Sequence, residues 1–87
     1  MKVVQVDITS HLEGVPNLQA LMGQEFATVS RWKEEGILEH LFVKNAQAGA
    51  ILVFKDVEEA RVKELIPTLP LSSHFTHVTY SAADKQF

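Results

Sequence analysis

The 87-residue sequence predicts an α+β fold with the element order β-α-β-β-α-β and a four-stranded antiparallel sheet. Three observations predict it. Apolar residues alternate with a period of two near the N-terminus, their spacing then becomes helical, and two segments rich in branched and aromatic residues follow. A second helical stripe and a last alternating segment complete the chain. We expect residues 1–87 to form a single domain.

The first half of the chain is predicted to be strand, helix, strand. Residues 2–8 form a strand in which Val4, Val6 and Ile8 share one face. Residues 9–16 have the composition of a loop. The helix covers residues 17–35, with Asn17 as its N-cap and Gly36 as its stop. Residues 37–44 form the second strand.

The second half repeats this order. Residues 45–49 form a turn and residues 50–55 a third strand, which we expect to form a hairpin with the second strand. Asp56 and Glu59 have the spacing of a capping box, which predicts a helix start. An apolar stripe continues to Leu69, and Pro67 is expected to end or distort this helix. Residues 74–80 form the fourth strand.

This order is the ferredoxin-like split βαβ arrangement, in which both helices cover one face of the sheet. The second and third strands, which we expect to be the inner strands of the sheet, are apolar on both faces, as the neighbours Leu41 and Phe42, or Ile51 and Leu52, illustrate. The helices can cover only one face. We therefore predict a homodimer, or a higher assembly of dimers, in which a second copy covers the other face.

Charge and composition exclude several classes of function. The net charge is −3 and the isoelectric point is about 5.7, which argues against nucleic-acid or anionic-membrane partners. The absence of cysteine excludes disulfides, thiolate zinc sites and a thiol nucleophile. No apolar run approaches the roughly 20 residues of a membrane span. A cytoplasmic location is the default expectation.

A carboxylate interrupts the apolar stripe of the first helix. At about 100° per residue, Glu25 falls near the centre of the apolar arc. The other members of the arc are Leu18, Leu21, Met22, Val29 and Trp32. Burial would raise the pKa of Glu25 and make it a proton shuttle near neutral pH. Alternatively, Glu25 pairs with a buried donor such as His40 or His77, or reaches solvent at the edge of the helix.

The histidines do not have the spacing of a metal site. His40 is expected to share a strand face with Leu38 and Phe42, and His77 with Phe75 and Thr79. His74 lies three residues before His77, so that the two should point to opposite faces. We expect no metal and no cofactor. A histidine that titrates near pH 7 is still a plausible partner for Glu25.

Several short motifs resemble the muconolactone isomerase family. They are the helical Glu25, Glu35-Gly36, His40-Leu41-Phe42, a segment at residues 50–57, and Leu69-Pro70-Leu71. The resemblance implies a dimeric α+β barrel of ferredoxin-like domains. It also implies a cofactor-free isomerase that moves a proton along a small lactone or organic acid.

The sequence departs from the family pattern where cationic groups are expected. Met22 stands where the family tends to have a lysine, and Glu39 and Val43 stand where it tends to have arginines. Ser72-Ser73-His74 replaces a Phe-Pro-Tyr segment. The groups that would bind a lactone carboxylate are therefore depleted, and the fold transfers more readily than the substrate.

The resemblance implies roles for specific residues. Glu25 would be the catalytic base, His40 would orient it or polarise a carbonyl, and His77 is a weaker third candidate. The pocket for a small organic ligand would be lined by Met22, Phe26, Val29 and Phe42. Two alternatives remain open: a cofactor-independent monooxygenase-like enzyme, and a dimeric-barrel protein that binds a small ligand without converting it.

Overall fold

The computed structural model describes residues 1–87, except for the side chain of Gln47. It confirms the predicted order of elements. The strands are β1 (Lys2–Ser10), β2 (Leu38–Val43), β3 (Gly49–Lys55) and β4 (Phe75–Asp84), and the helices are α1 (Leu18–Glu34) and α2 (Glu59–Leu65). Short 3-10 turns at Ile66–Thr68 and Ser72–His74 connect α2 to β4.

The four strands form one antiparallel sheet in the order β2-β3-β1-β4. The predicted ferredoxin-like α+β fold is therefore confirmed. β1 is a central strand, in which Val6 pairs with Leu52 of β3 and with Tyr80 of β4. β2 is an edge strand, so it is not one of the two inner strands that the sequence argument for a dimer assumed.

The core lies between the helices and one face of the sheet, and Val4, Val6 and Ile8 line that face as predicted. Trp32 of α1 packs against Phe54 of β3, with ring centroids 5.5 Å apart. Burial of the apolar surface of these large side chains stabilises the fold by about 25 cal/mol per Å². This packing fixes the orientation of α1 over the sheet.

The predicted start of α1 is confirmed in position, because Asn17 is its N-cap residue, whereas the predicted start of α2 is not. Asn17 has a left-handed backbone with φ 56°, and its side chain makes no capping hydrogen bond. Asp56 is also left-handed, and the N-cap of α2 is Glu58, which likewise makes no side-chain cap. The predicted capping box is therefore not formed. α2 ends at Leu65, one residue before the 3-10 turn that contains Pro67.

Two irregularities in strand pairing change which side chains share a face. In β2 the register shifts between Leu38 and His40, so that Leu38 and Leu41 both face the helices, whereas Phe42 faces away. In β4 a similar shift occurs, because Thr9 of β1 pairs with His77 whereas Ser10 pairs with Phe75. Phe75 and His77 therefore lie on opposite faces of the sheet. The predictions that Phe42 shares a face with Leu38, and that His77 shares one with Phe75, are both wrong.

The face of the sheet that no helix covers, called the open face below, is mixed in character. Ion pairs occupy part of it: Lys44 Nζ lies 2.6 Å from Asp7 Oδ1, and Lys55 Nζ lies 3.5 Å from an oxygen of Glu39. Apolar side chains occupy the rest, with Ile51, Val53 and Phe42 on or next to β3. In the described part of the chain, no helix is both long and apolar enough to span a membrane.

Candidate active site

Glu25 lies in the middle of α1 and is half-buried against the segment that precedes β4. Its Oε1 accepts a hydrogen bond from the backbone N–H of Leu71, at 3.0 Å. Leu71 is buried and stands directly before the Ser72–His74 turn. Oε2 has no hydrogen-bond partner among the described residues. The carboxyl group therefore has one oxygen fixed by the main chain and one available to a ligand.

Burial raises the pKa of the Glu25 carboxyl above its usual value of 4.5. The hydrogen bond from Leu71 acts in the opposite direction, because it favours the charged form, but it is the smaller effect. No cation pairs with Glu25 among the described side chains. The carboxyl thus accepts a proton more readily than an exposed glutamate, which suits a group that exchanges protons with a substrate.

A cavity of about 170 Å³ opens beside Glu25, between α1 and the helix-facing side of the sheet. This volume is close to that of an engineered apolar cavity, roughly 150 Å³, which binds benzene. Met22, Phe26 and Val29 of α1 line it, and Glu25 is its one ionisable lining residue in the described chain. The cavity is thus suited to a ring-sized apolar group with one polar atom directed at Glu25.

The wall formed by β2 differs from the prediction. Phe42 does not line the cavity, because the register shift turns its side chain to the open face. Its neighbours Leu41 and Val43 take that place. The remaining wall comes from segments that the sequence reasoning did not include, among them Leu69, Leu71 and Phe75. The Leu-Pro-Leu motif was the one available signal for that wall.

Neither His40 nor His77 lies beside Glu25 in one chain. His40 pairs across the sheet with Val53, and His77 pairs with Thr9, which places both on the open face. His40, on the edge strand β2, also borders a groove beside α1, but it does not line the cavity at Glu25. The His40 ring instead lies 6.0 Å from the ring of Phe42. The expectation that His40 orients the carboxyl is therefore corrected, and the Leu71 amide performs that role. The residue types in the sequence could not have indicated this hydrogen bond, because its donor is a backbone N–H.

A wider cleft of about 820 Å³ lies at the other end of β1. Its lining includes Lys2 and carboxylates from Asp56, Glu58 and Asp84. Asp56, Glu58 and Asp84 are exposed, and among the described residues no group of three or more acidic or histidine side chains could hold a metal ion. The cavity at Glu25 is therefore the stronger candidate for chemistry.

Comparison with known proteins identifies the fold but not a family. No family model matches the chain, and no curated protein matches it. Solved structures do match. One is 5-chloro-2-hydroxyhydroquinone dehydrochlorinase from Burkholderia phenoliruptrix, in complex with 2,5-dihydroxybenzoquinone. Its TM-score is 0.67 at 8% identity, over 94% of this chain and 93% of that one.

Two further structures have a similar core. An antibiotic biosynthesis monooxygenase matches with a TM-score of 0.65 at 14% identity, over 98% of both chains. A transcriptional regulator from Neisseria meningitidis, in complex with L-methionine, matches with a TM-score of 0.58 at 14% identity. That match covers 98% of this chain and 51% of the regulator.

The chain therefore has the fold of the dimeric α+β-barrel proteins, and the predicted fold class is confirmed. The muconolactone isomerase family in particular is not supported by a match. Identities of 8% and 14% establish the fold alone. This fold serves many chemistries, so that function has to be argued from the site.

Proposed function

We propose that this protein is a cofactor-free enzyme that moves a proton on a small, largely apolar organic acid or lactone. The observation that carries the proposal is Glu25, a carboxyl with a raised pKa in an otherwise apolar, ring-sized cavity. A carboxyl whose pKa is raised towards the working pH is an effective general base and acid. The cavity walls are apolar, so that a ligand that fills the cavity would displace water from around the carboxyl.

The proposed reaction uses the two carboxyl oxygens differently. Oε1 stays bonded to the Leu71 N–H, which fixes the plane of the carboxyl. Oε2 removes a proton from a C–H next to the substrate carbonyl, and the electron pair of that bond moves into an enolate. The protonated Oε2 then returns the proton at another carbon of the conjugated system. The proton count balances without a redox partner.

We further propose that a second copy of the chain covers part of the open face. Ile51, Val53 and the more than half-exposed Phe42 form an apolar area there. Burial of such an area stabilises an assembly at about 25 cal/mol per Å². The fold supports this arrangement, since it is the fold of dimeric barrels. His40 and His77 would then lie near the interface and not in the cavity.

A second candidate substrate class is a phenol or hydroquinone, as a monooxygenase-like enzyme would use. The ring-sized cavity favours it, and a structural neighbour holds 2,5-dihydroxybenzoquinone. In that case Glu25 would accept the phenolic proton and leave an electron-rich phenolate. The two classes differ in which proton Glu25 removes, so that one experiment separates them.

Solvent deuterium exchange tests the proposal. The full chain is incubated in deuterated water with small lactones, enol-forming acids and hydroquinones, and carbon-bound deuterium is measured by NMR. We expect carbon exchange with at least one lactone or acid. Glu25→Gln should slow it by at least about 100-fold, because general-base catalysis contributes at least this much.

Glu34→Gln is the matched control, because Glu34 is an exposed glutamate on the same helix. This variant should exchange at the wild-type rate. Oxygen consumption with a hydroquinone, without carbon exchange, would favour the monooxygenase-like function instead. If the folded protein binds these compounds but converts none, the cavity is a binding site only and the proposed activity is wrong.

A further inference from the structure

A groove of about 390 Å³ continues from the cavity along the outer side of α1 towards β2. Phe26, Val29 and Leu41 line both spaces, so that the cavity and the groove share a wall. The groove is more polar than the cavity, because Ser30, Lys33, Glu39 and His40 line it as well. A ligand in the cavity could therefore extend into a polar environment without crossing the core.

Lys33 is the free cation of this groove. It is exposed, and it forms no ion pair with any described side chain. Ser30 lies three residues before it, so that both side chains lie on one face of α1. Glu39 is the one carboxylate that lines the groove in the described chain, and Lys55 at 3.5 Å and Lys85 at 3.8 Å offset its charge.

We propose that this groove binds the anionic group of the ligand whose apolar body fills the cavity, with Lys33 as the recognising cation. The Ser30 hydroxyl would be a second donor. The inference rests on the proposed function, and it names the substrate class: an organic anion with a ring-sized apolar part.

The helix geometry sets the length of such a ligand. Glu25 and Lys33 are eight residues apart on α1, which corresponds to a rise of about 12 Å. The lysine side chain can fold back along the groove, so that the anion would lie about 6–12 Å from the atom that faces Glu25. A single ring with a chain of three or four atoms to a carboxylate fits this span.

The test compares 4-phenylbutanoate with 4-phenylbutan-1-ol, which differ in the anionic group. Both are titrated into the isotope-labelled full chain, and the dissociation constants are read from amide shifts, including that of Val29. We expect the wild type to bind the anion about five-fold more tightly than the alcohol, since an exposed ion pair contributes up to about this factor.

Lys33→Met should abolish this preference and leave alcohol binding unchanged, because methionine keeps most of the apolar stem. Arg31→Met is the matched control, since Arg31 is an exposed cation on another side of the same helix. It should keep the five-fold preference.

The outcomes separate the two proposals. If the wild type binds both compounds equally, or if Lys33→Met keeps the preference for the anion, the groove does not recognise an anion and this inference is wrong. The proposed function would survive that result, because the ring still enters the cavity. If neither compound shifts the Val29 amide, the cavity does not accept a ring and both proposals are overturned.

Discussion

The Glu25 carboxyl and the Leu71 amide, 46 residues apart in sequence, are joined by a hydrogen bond of 3.0 Å. This bond connects the middle of α1 to the segment before β4, which forms one wall of the cavity. The same carboxyl thus faces the candidate ligand space and holds part of the wall around it. Its protonation state is therefore coupled both to chemistry and to stability.

The first prediction concerns the pH dependence of folding. Because the pKa of Glu25 is raised in the folded state, the folded chain binds more protons than the unfolded chain between about pH 4.5 and that raised value. The favourable contribution of Glu25 is fully present below the unfolded pKa, and it is lost as the pH rises through the folded pKa. Glu25→Gln should remove this loss.

Urea unfolding of the wild type and Glu25→Gln at pH 4.5 and pH 8 measures the effect. The variant should gain stability relative to the wild type at the higher pH, whereas Glu34→Gln should follow the wild type. If the difference in unfolding free energy between Glu25→Gln and the wild type is the same at both pH values, the pKa of Glu25 is the same in the folded and unfolded states.

The second prediction concerns Gly49, which starts β3 and lines the cavity. Its φ is 151°, and a Cβ at this position would overlap the carbonyl oxygen of Ile8 in β1. Gly49→Ala should therefore destabilise the fold by about 2–4 kcal/mol, measured by urea unfolding.

Gly23→Ala is the contrasting substitution. Gly23 lies inside α1, where a Cβ would meet open space. Alanine should stabilise the helix there by about 0.5–1 kcal/mol. Equal effects of the two substitutions would contradict the close approach of β1 and β3 at Gly49.

The third prediction tests whether the cavity accepts ligands. Met22 lines the cavity and is partly exposed, so that Met22→Trp should fill the space from the side of α1 with little cost to folding. We expect binding of 4-phenylbutan-1-ol to weaken at least about ten-fold, because the ring loses its apolar contacts. Gln24→Trp, on an exposed part of α1, should bind as the wild type does.

The fourth prediction concerns self-association through the open face. Val53→Asp places a charge among the apolar side chains of that face, and it should shift the mass measured by light scattering from two chains towards one. Ala60→Asp adds the same charge on an exposed part of α2 and should leave the mass unchanged. A wild-type mass of one chain at micromolar concentration would refute the proposed dimer.

The fold could be predicted because its signals are local. The alternation of Val4, Val6 and Ile8 and the helical spacing around Glu25 each reflect the repeat of one element. The ferredoxin-like order then follows from the sequence of elements. The helical wheel also placed Glu25 against the core, because its position depends only on residues of the same helix.

The composition of the site was less predictable, since it depends on register and on the main chain. One shift in β2 moves Phe42 to the open face and brings Leu41 and Val43 to the cavity. No residue in this segment of the sequence indicates such a bulge. The partner of Glu25 is a backbone N–H from a distant segment, and no pattern of side chains indicates it.

The most direct test of the central claim is an NMR titration of the Glu25 side-chain carboxyl, recorded together with the Leu71 amide. We predict that the carboxyl titrates clearly above pH 4.5 and that the Leu71 amide shift follows the same curve. The Ser72 amide, which donates to the Leu69 carbonyl at 2.9 Å, should move much less. A Glu25 pKa at or below 4.5, with a Leu71 amide that does not respond, would contradict the account.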